Sequence, residues 1–119
     1  MNVNPSKDKG DRAERALVDF LDHEGFAARR IVAGQHDDIG DIEVGEDVVI
    51  EVKNRYRLEL PEWCRNLQAQ KGNKDAAFGF IAVKVRGKTN PADWVYVIDG
   101  ATFINILRKL IRWKGPQAS

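Results

Sequence analysis

The segment from residue 48 to residue 53 restricts the fold most, because it sets charged side chains inside an almost continuously apolar run. It reads VVIEVK. Near-continuous apolar runs of this length are typical of strands that are covered on both faces of a sheet. Alternate side chains of a strand share a face, so Val49, Glu51 and Lys53 are expected on one side. Charges within a covered strand favour a functional site over the usual solvated ion pair.

A second carboxylate precedes this strand. Asp41 lies ten residues before Glu51, in a short segment that ends in the turn residues Gly45-Glu46-Asp47. If the two segments pair as a hairpin, both carboxylates meet around one hard cation, and Mg²⁺ favours such oxygen ligands. Lys53 would then orient or deprotonate a water, or stabilise charge on a phosphate. The spacing indicates a magnesium-dependent nuclease site; the alternative is a protein-interaction domain whose Glu-x-Lys strand is only a polar face.

Length and composition narrow the class of protein. The chain has 119 residues, which fits one domain. It lacks the long apolar run of a membrane span and the apolar core of a signal peptide. Its single cysteine, Cys64, has no internal disulfide partner, which is compatible with a reducing cytoplasm. His23 and His36 are too far apart in sequence to predict a zinc cluster.

Charge is distributed unevenly along the chain. Residues 1–47 carry 6 basic and 12 acidic side chains, whereas residues 48–119 carry 13 basic and 6 acidic ones. This asymmetry suggests an acidic region that includes a metal site and a basic surface suited to a polyanion. Ordinary scatter of charge over exposed faces is the alternative interpretation.

Periodicity predicts eight elements in the order α-β-β-β-α-β-β-α, which is a single-domain mixed α/β fold with helices flanking a central sheet. The predicted bounds are helix 10–24, strands 26–32, 39–44 and 48–54, helix 60–75, strands 78–85 and 94–98, and helix 101–113. Residues 1–8 are expected to form a flexible tail.

Helical spacing assigns apolar faces. In the first helix, Glu14 lies beside the apolar stripe, where position alone indicates a first-turn carboxylate helped by the helix dipole. In the second helix, Trp63, Leu67 and Gln70 share a face. The last helix is expected to bury its apolar positions, which are Phe103, Ile106, Leu107, Leu110 and Ile111.

Several short motifs of this chain follow one another in the order that is found in one known protein family. The chain resembles the archaeal-type Holliday junction resolvases of the PD-(D/E)xK nuclease superfamily, and resolvase-like proteins of phages of actinobacteria. The motifs that carry the resemblance are KGDRAER at 9–15, Gly25-Phe26, RIVAG at 30–34, Asp41-Ile42, EVK at 51–53, and FIAVK at 80–84 followed by Trp94.

The resemblance implies a restriction-endonuclease-like fold over residues 9–114, with 115–119 as a tail. It implies an endonuclease that hydrolyses phosphodiesters in branched DNA with Mg²⁺ (or Mn²⁺), acts as a homodimer, and works in the cytoplasm, or the host cytoplasm if phage-encoded. Asp41, Glu51 and Glu14 become metal ligands together with the Val52 carbonyl, and Lys53 becomes the catalytic lysine.

The chain departs from the family pattern at two places. Ala33-Gly34 replaces the usual Ser-Gly before the aspartate, and Asp37 and Asp38 in the same loop are further candidate acids. The helix after the Glu-x-Lys strand often carries a glutamine near the site. Here three amides compete, and helical spacing favours Asn66 or Gln70 over Gln68 as a residue behind the ligands.

Basic and aromatic residues complete the expectations. Trp63 and Trp94 are expected in the core, with stacking on unpaired bases as the alternative. Related nucleases that cut linear, flap or single-stranded DNA, and a non-catalytic DNA-binding module with the same fold, remain alternative functions. The residues expected to neutralise DNA phosphates are Arg12, Arg15, Arg55, Arg57, Lys84, Arg86 and Lys88.

Overall fold

The computed structural model describes residues 5–31, 41–55, 57–74 and 76–111, with side chains from residue 10 onwards except those of 73 and 74. Within these residues the predicted order of helices and strands is confirmed. The elements are α1 (Pro5–His23), β1 (Ala28–Arg30), β2 (Ile42–Val44), β3 (Val48–Lys53), α2 (Leu60–Lys74), β4 (Phe78–Val83), a 3-10 turn (Pro91–Asp93), β5 (Val95–Ile98) and α3 (Gly100–Leu110).

The element bounds differ from the predicted ones mainly at the N-terminus. Helix α1 begins at Pro5, so residues 5–8 are helical and not part of a tail. Proline is well tolerated in a first helical turn, which makes this early start possible. The predicted loop with Asp37 and Asp38, Ala33-Gly34, and the tail 115–119 lie outside the described residues.

Helix α1 ends at His23 and is terminated by Gly25, as its sequence predicts. The N–H of Gly25 donates to the Asp22 carbonyl and that of Phe26 to the Leu21 carbonyl, at 3.0 and 2.9 Å. These two bonds form a Schellman motif, which needs a residue with positive φ, and Gly25 has φ of 96°. The motif turns the chain back into β1.

The five strands form one sheet in the order β1-β2-β3-β4-β5, antiparallel except for the parallel pair β3–β4. Helix α2 is the crossover between the parallel strands. Ile50 of β3 packs with Ala13 and Leu17 of α1, whereas Val49 packs with Trp63 and Leu67 of α2. The prediction that β3 is covered on both faces is therefore confirmed.

Helix α3 differs from the prediction in what it buries. Phe103, Leu110 and Ile111 are 49%, 73% and 69% exposed, while the polar Thr102 is fully buried. The helix is attached through its first turn: Asp99 caps it at Thr102 N–H, and Lys71 of α2 lies 3.4 Å from Asp99. Amphipathicity correctly indicated an apolar face, but within the described part of the chain Ile106 and Leu107 are only half-buried and the rest of the face is exposed.

None of the described helices combines the length and the apolar character that crossing a membrane requires.

Candidate active site

One end of the sheet collects the predicted site residues. The register pairs Arg30 with Ile42, Ile42 with Ile50, and Lys53 with Val83. Consequently the ends of β1, β3 and β4 and the start of β2 lie together, and we call this the site end. The loop after β4 starts there, since Lys84 N–H donates to the Lys53 carbonyl at 2.8 Å.

Asp41 lies beside the last residues of β3, directly before the start of β2. Continuing the β2–β3 register by one residue brings Asp41 opposite Glu51, and its Oδ2 accepts a 2.8 Å hydrogen bond from Val52 N–H. Burial, and then the nearby carboxylates of Glu14 and Glu51, raise the pKa of Asp41 to about 6, although the Val52 N–H and Lys53 act against the rise. The three acids thus share one electrostatic environment.

The Val52 carbonyl is directed to the same edge. Residues two apart on a strand direct their backbone groups to the same neighbour, and N–H and C=O of one residue point the same way. The Ile50 carbonyl accepts from Asp41 N–H, and Val52 N–H is bonded to the Asp41 carboxylate. Strand β2 begins only at Ile42, opposite Ile50, so among the described residues the Val52 carbonyl borders the carboxylates without a strand partner on that side.

Glu51 and Lys53 form a nearly buried ion pair on the α2 face. Lys53 Nζ is 2.6 Å from Glu51 Oε1 and lies over the Trp63 ring, 5.5 Å from its centroid. The other oxygen, Glu51 Oε2, is buried and has no hydrogen-bond partner among the described residues. Such a group is costly to bury unpaired, which suits an atom that serves a ligand.

Glu14 reaches the site end from α1 and is held by β1. Arg30 Nε donates to Glu14 Oε1 at 3.1 Å, and Arg30 Nη2 donates to Asp11 Oδ1 at 2.9 Å. Burial raises the pKa of Glu14, Arg30 lowers it, and Asp11 raises it further. Position alone had assigned Glu14 to the helix dipole; the structure instead brings it close enough to Asp41 to affect that residue's pKa.

The donor set fits a hard divalent cation. Among the described residues, no three acidic, histidine or cysteine side chains converge closely enough to enclose an ion as they stand. Lys53 and Arg30 neutralise Glu51 and Glu14. The unpartnered Glu51 Oε2 and the raised pKa of Asp41 both indicate carboxylates that lack full compensation of their charge. A cation would supply it.

The amides of α2 occupy different environments. Gln70 is buried, and its Oε1 lacks a partner among the described residues. Asn66 is exposed and lines a cleft together with Lys53 and Trp63. Gln68 is directed to the opposite side, where its Nε2 donates to Asp99. This arrangement agrees with the helical spacing, which favoured the first two over Gln68.

The basic residues proposed for DNA lie on several segments around the site end. Arg12 and Arg15 are exposed on α1 beside Glu14. Arg55 and Arg57 follow β3, and the loop after β4 carries the remaining three, which are Lys84, Arg86 and Lys88. Trp94 anchors this loop, because its Nε1 donates to the Lys88 carbonyl at 2.9 Å. Trp63 and Trp94 are buried, as predicted, so stacking on bases is wrong for both.

Two features were missed by sequence reasoning. The Asp11–Arg30–Glu14 chain joins α1 to β1 across 16 and 19 residues, and the buried Glu43 pairs with Arg29 across the β1–β2 register. The second pair follows from the register once that is known. The first depends on how α1 packs on the sheet, for which the sequence offers no local signal.

The chain was compared with known proteins. The family model of the archaeal Holliday junction resolvase (Hjc) matches residues 5–99, which include every residue of the site end. Among solved structures, Hjc of Archaeoglobus fulgidus, a Holliday junction resolvase from an archaeal hyperthermophile, is similar. The identity is 28% and the TM-score 0.55, over 76% of this chain and 72% of that chain. No curated protein matches the chain.

Proposed function

The chain belongs to the archaeal Holliday junction resolvase family, and from this premise we propose that it resolves four-way DNA with a divalent cation held at the site end. Membership implies a junction-resolving endonuclease with the family's mixed α/β fold. The residue roles, the identity of the ion as Mg²⁺ (with Mn²⁺ as a substitute) and the homodimer belong to the proposal.

Asp41, Glu51 and the Val52 carbonyl would hold the cation, with Glu14 completing the set. The observation that carries this assignment is the buried Glu51 Oε2 beside Asp41, which has no hydrogen-bond partner in the part of the chain that the structure describes. When bound, the cation lowers the pKa of a coordinated water and neutralises charge on the phosphate under attack. Asp41 must be ionised to bind the cation. The electrostatic cost of burying that charge is therefore offset only when the cation is present.

Lys53 is the proposed catalytic lysine. Its ammonium is held between the Glu51 carboxylate and the Trp63 ring, which fixes a donor beside the carboxylates. From this position it orients the attacking water or stabilises the negative charge that develops on the phosphate oxygens. Gln70, buried on the same face of α2 as Trp63, would support the ligands from behind.

The homodimer is supported by the exposed face of α3. At about 100° per residue, the apolar positions from Phe103 to Ile111 fall within an arc of about 160°. Phe103, Ile104, Leu110 and Ile111 on this face are all more than 40% exposed. Contiguous apolar surface of this kind marks an interaction site. A second copy is the proposed occupant, because resolution needs one cut in each of two strands.

The test compares a labelled four-way junction with matched linear duplex, flap and single-stranded DNA. We expect paired cuts near the branch point with Mg²⁺, none in EDTA, and a loss of at least about 100-fold for Glu51→Gln, since a metal ligand supplies several kcal/mol of transition-state stabilisation. Glu46→Gln is the matched control, because Glu46 is an exposed acid in the β2–β3 turn.

Two results would contradict the proposal. Equal cutting of every substrate would be consistent with the proposed active site but would contradict specificity for the four-way junction. Metal-independent cutting, or full activity of Glu51→Gln, would remove the proposed cation site.

A further inference from the structure

One arginine is shared between two carboxylates of helix α1. Arg30, the last residue of β1, donates from Nε to Glu14 Oε1 at 3.1 Å and from Nη2 to Asp11 Oδ1 at 2.9 Å. Asp11 and Glu14 are three residues apart in α1, so they lie on the same face of the helix. Glu14 is a proposed ligand of the cation, and Asp11 is not.

This sharing differs from the usual pairing of a guanidinium with a carboxylate. A guanidinium presents two parallel N–H groups, and these commonly bond to both oxygens of one carboxylate. In this chain the Nε and Nη2 groups bind one oxygen of each of two carboxylates. Arg30 therefore holds Glu14 through Oε1, and Asp11 occupies the donor that a bidentate pair would direct to Glu14 Oε2.

The difference matters for a metal ligand. A carboxylate with both oxygens bonded to a guanidinium must lose at least one charge-assisted hydrogen bond before it can bind a cation, and such bonds are the strong ones. The single bond from Arg30 orients Glu14 and compensates part of its charge. It does not take the second oxygen, which stays directed to other partners.

We infer that Asp11 is a positioning residue for the cation site, because by holding Nη2 of Arg30 it prevents the guanidinium from bonding to both oxygens of Glu14. This inference rests on the proposed cation site. Asp11 acts through Arg30, the residue that it contacts, and needs no contact with the ion. The alternative is an ordinary ion pair, since Asp11 and Arg30 are 31% and 32% exposed, and such pairs contribute little.

The experiment titrates the full chain with Mn²⁺ and measures the free ion by electron paramagnetic resonance. Asp11→Ala removes the acceptor of the Nη2 bond, whereas Asp11→Asn keeps an oxygen there without the charge. Alanine is a strong helix former, so the first change preserves α1. Asp11→Ala is also combined with Arg30→Gln, which lacks the guanidinium. Asp19→Ala is the matched control, because Asp19 is an exposed acid on the same helix.

For Asp11→Ala we expect the Mn²⁺ dissociation constant to rise about ten-fold, the lower end of what losing a partner behind a metal ligand costs. Asp11→Asn should raise it by about three-fold at most, because its neutral oxygen still accepts from Nη2. With Arg30→Gln already present, Asp11→Ala should change the dissociation constant by less than about two-fold, since the two residues act as one unit. Asp19→Ala should bind Mn²⁺ as the wild type does.

Cutting of the four-way junction gives a second measurement. Asp11→Ala should raise the Mg²⁺ concentration for half-maximal cutting by about ten-fold, a larger change than in the rate at saturating Mg²⁺, whereas a damaged fold would lower the saturated rate most.

Three results would overturn the inference and leave the cation site intact. They are an unchanged or lower dissociation constant in Asp11→Ala, an equal rise in Asp11→Ala and Asp11→Asn, and a full rise when Asp11→Ala is added to Arg30→Gln. A wild type that binds no Mn²⁺ would overturn the proposed cation site, and this inference with it.

Discussion

At the scale of single residues, Asp41 has the most consequential environment. It immediately precedes β2, bonds to the backbone of β3, and lies near two other acids in a largely buried position. A carboxylate in such surroundings favours its protonated form unless a cation compensates it. The hydrogen bond between Asp41 and Val52 therefore supports the structure. The burial of the Asp41 carboxylate, in contrast, disfavours the ionised form that the proposed function requires.

The raised pKa of Asp41 has a defined effect on stability. Between pH 3.8 and about 6 the folded chain retains a proton at Asp41 that the unfolded chain loses. The free energy of unfolding therefore falls as the pH rises through that window. In protein stripped of divalent ions, Asp41→Asn should be more stable than the wild type at neutral pH by about 1–3 kcal/mol.

Urea unfolding in EDTA as a function of pH measures this difference. The difference in stability between Asp41→Asn and the wild type should disappear at a pH below 3.8, the ordinary pKa of the carboxyl. There the carboxyl is neutral in both the folded and the unfolded chain. The substitution retains an oxygen that accepts from Val52, so a destabilised Asp41→Asn at neutral pH would contradict the electrostatic account.

At the scale of elements, α2 is positioned by a close approach to β4. A Cβ at Gly79 would lie 2.7 Å from Lys71 Cδ and 3.0 Å from Leu67 Cδ1. Lys71 crosses this glycine to reach Asp99 at the start of α3. Burial alone raises the pKa of Asp99, but its bonds from Thr102 and Gln68 and the charge of Lys71 lower it to about 2. Gly79 thus provides the space through which α2 and α3 are joined.

Gly79→Ala should accordingly destabilise the chain by about 1–3 kcal/mol, the usual cost of overpacking. Gly72→Ala is the matched control: it lies on α2 with nothing within 4 Å of its Cβ position, so alanine should stabilise the helix by up to about 1 kcal/mol. Denaturant unfolding measures both. In the double variant Gly79→Ala with Lys71→Ala the losses should be less than additive; full additivity would show that the contact with Lys71 is not the cause.

Sequence reasoning succeeded where periodicity and local chemistry decide. The alternation in β3 predicted its two covered faces, and helical spacing placed Trp63, Leu67 and Gln70 on the buried side of α2. It failed for α3, because an amphipathic pattern indicates an apolar face without showing whether the same chain covers it. Sequence reasoning identified Arg30 only as part of a motif, because its hydrogen bond to Glu14 depends on the packing of α1 against β1.

At the scale of the whole molecule, the exposed apolar residues are most numerous on α3, away from the basic residues of the site end. Lys53, Lys84 and Arg55 lie around the site end. Exposed apolar side chains outside α3 include Phe26, Leu58, Leu60, Val95 and Tyr96. A second copy bound through α3 would leave both site ends exposed. Two sites in one particle are what paired cuts in opposite strands require.

If the proposed dimer forms, the wild type has a mass of twice 13.4 kDa. Phe103→Glu introduces a charge into the apolar face of α3 and should give a monomer that still folds, because Phe103 is half exposed. Arg108→Glu, an exposed change outside that face, is the control. Sedimentation equilibrium gives the mass, and a supercoiled cruciform plasmid distinguishes linear from nicked product.

We expect Phe103→Glu to produce mainly nicked circles, since a lone subunit cuts one strand at a time. A wild-type monomer that still makes paired cuts, or a Phe103→Glu protein that remains a dimer, would assign the apolar face to another partner.

The β2–β3 pairing also decides when the proposed site can exist. Asp41 and Glu51 meet only when the hairpin closes at Gly45–Asp47 in its native register. A slip of one residue would send alternate side chains to opposite faces. Misfolded or newly synthesised copies that have not closed this hairpin therefore carry all the acids of the site without assembling it. Assembly of the proposed site therefore waits until the sheet has formed in its native register.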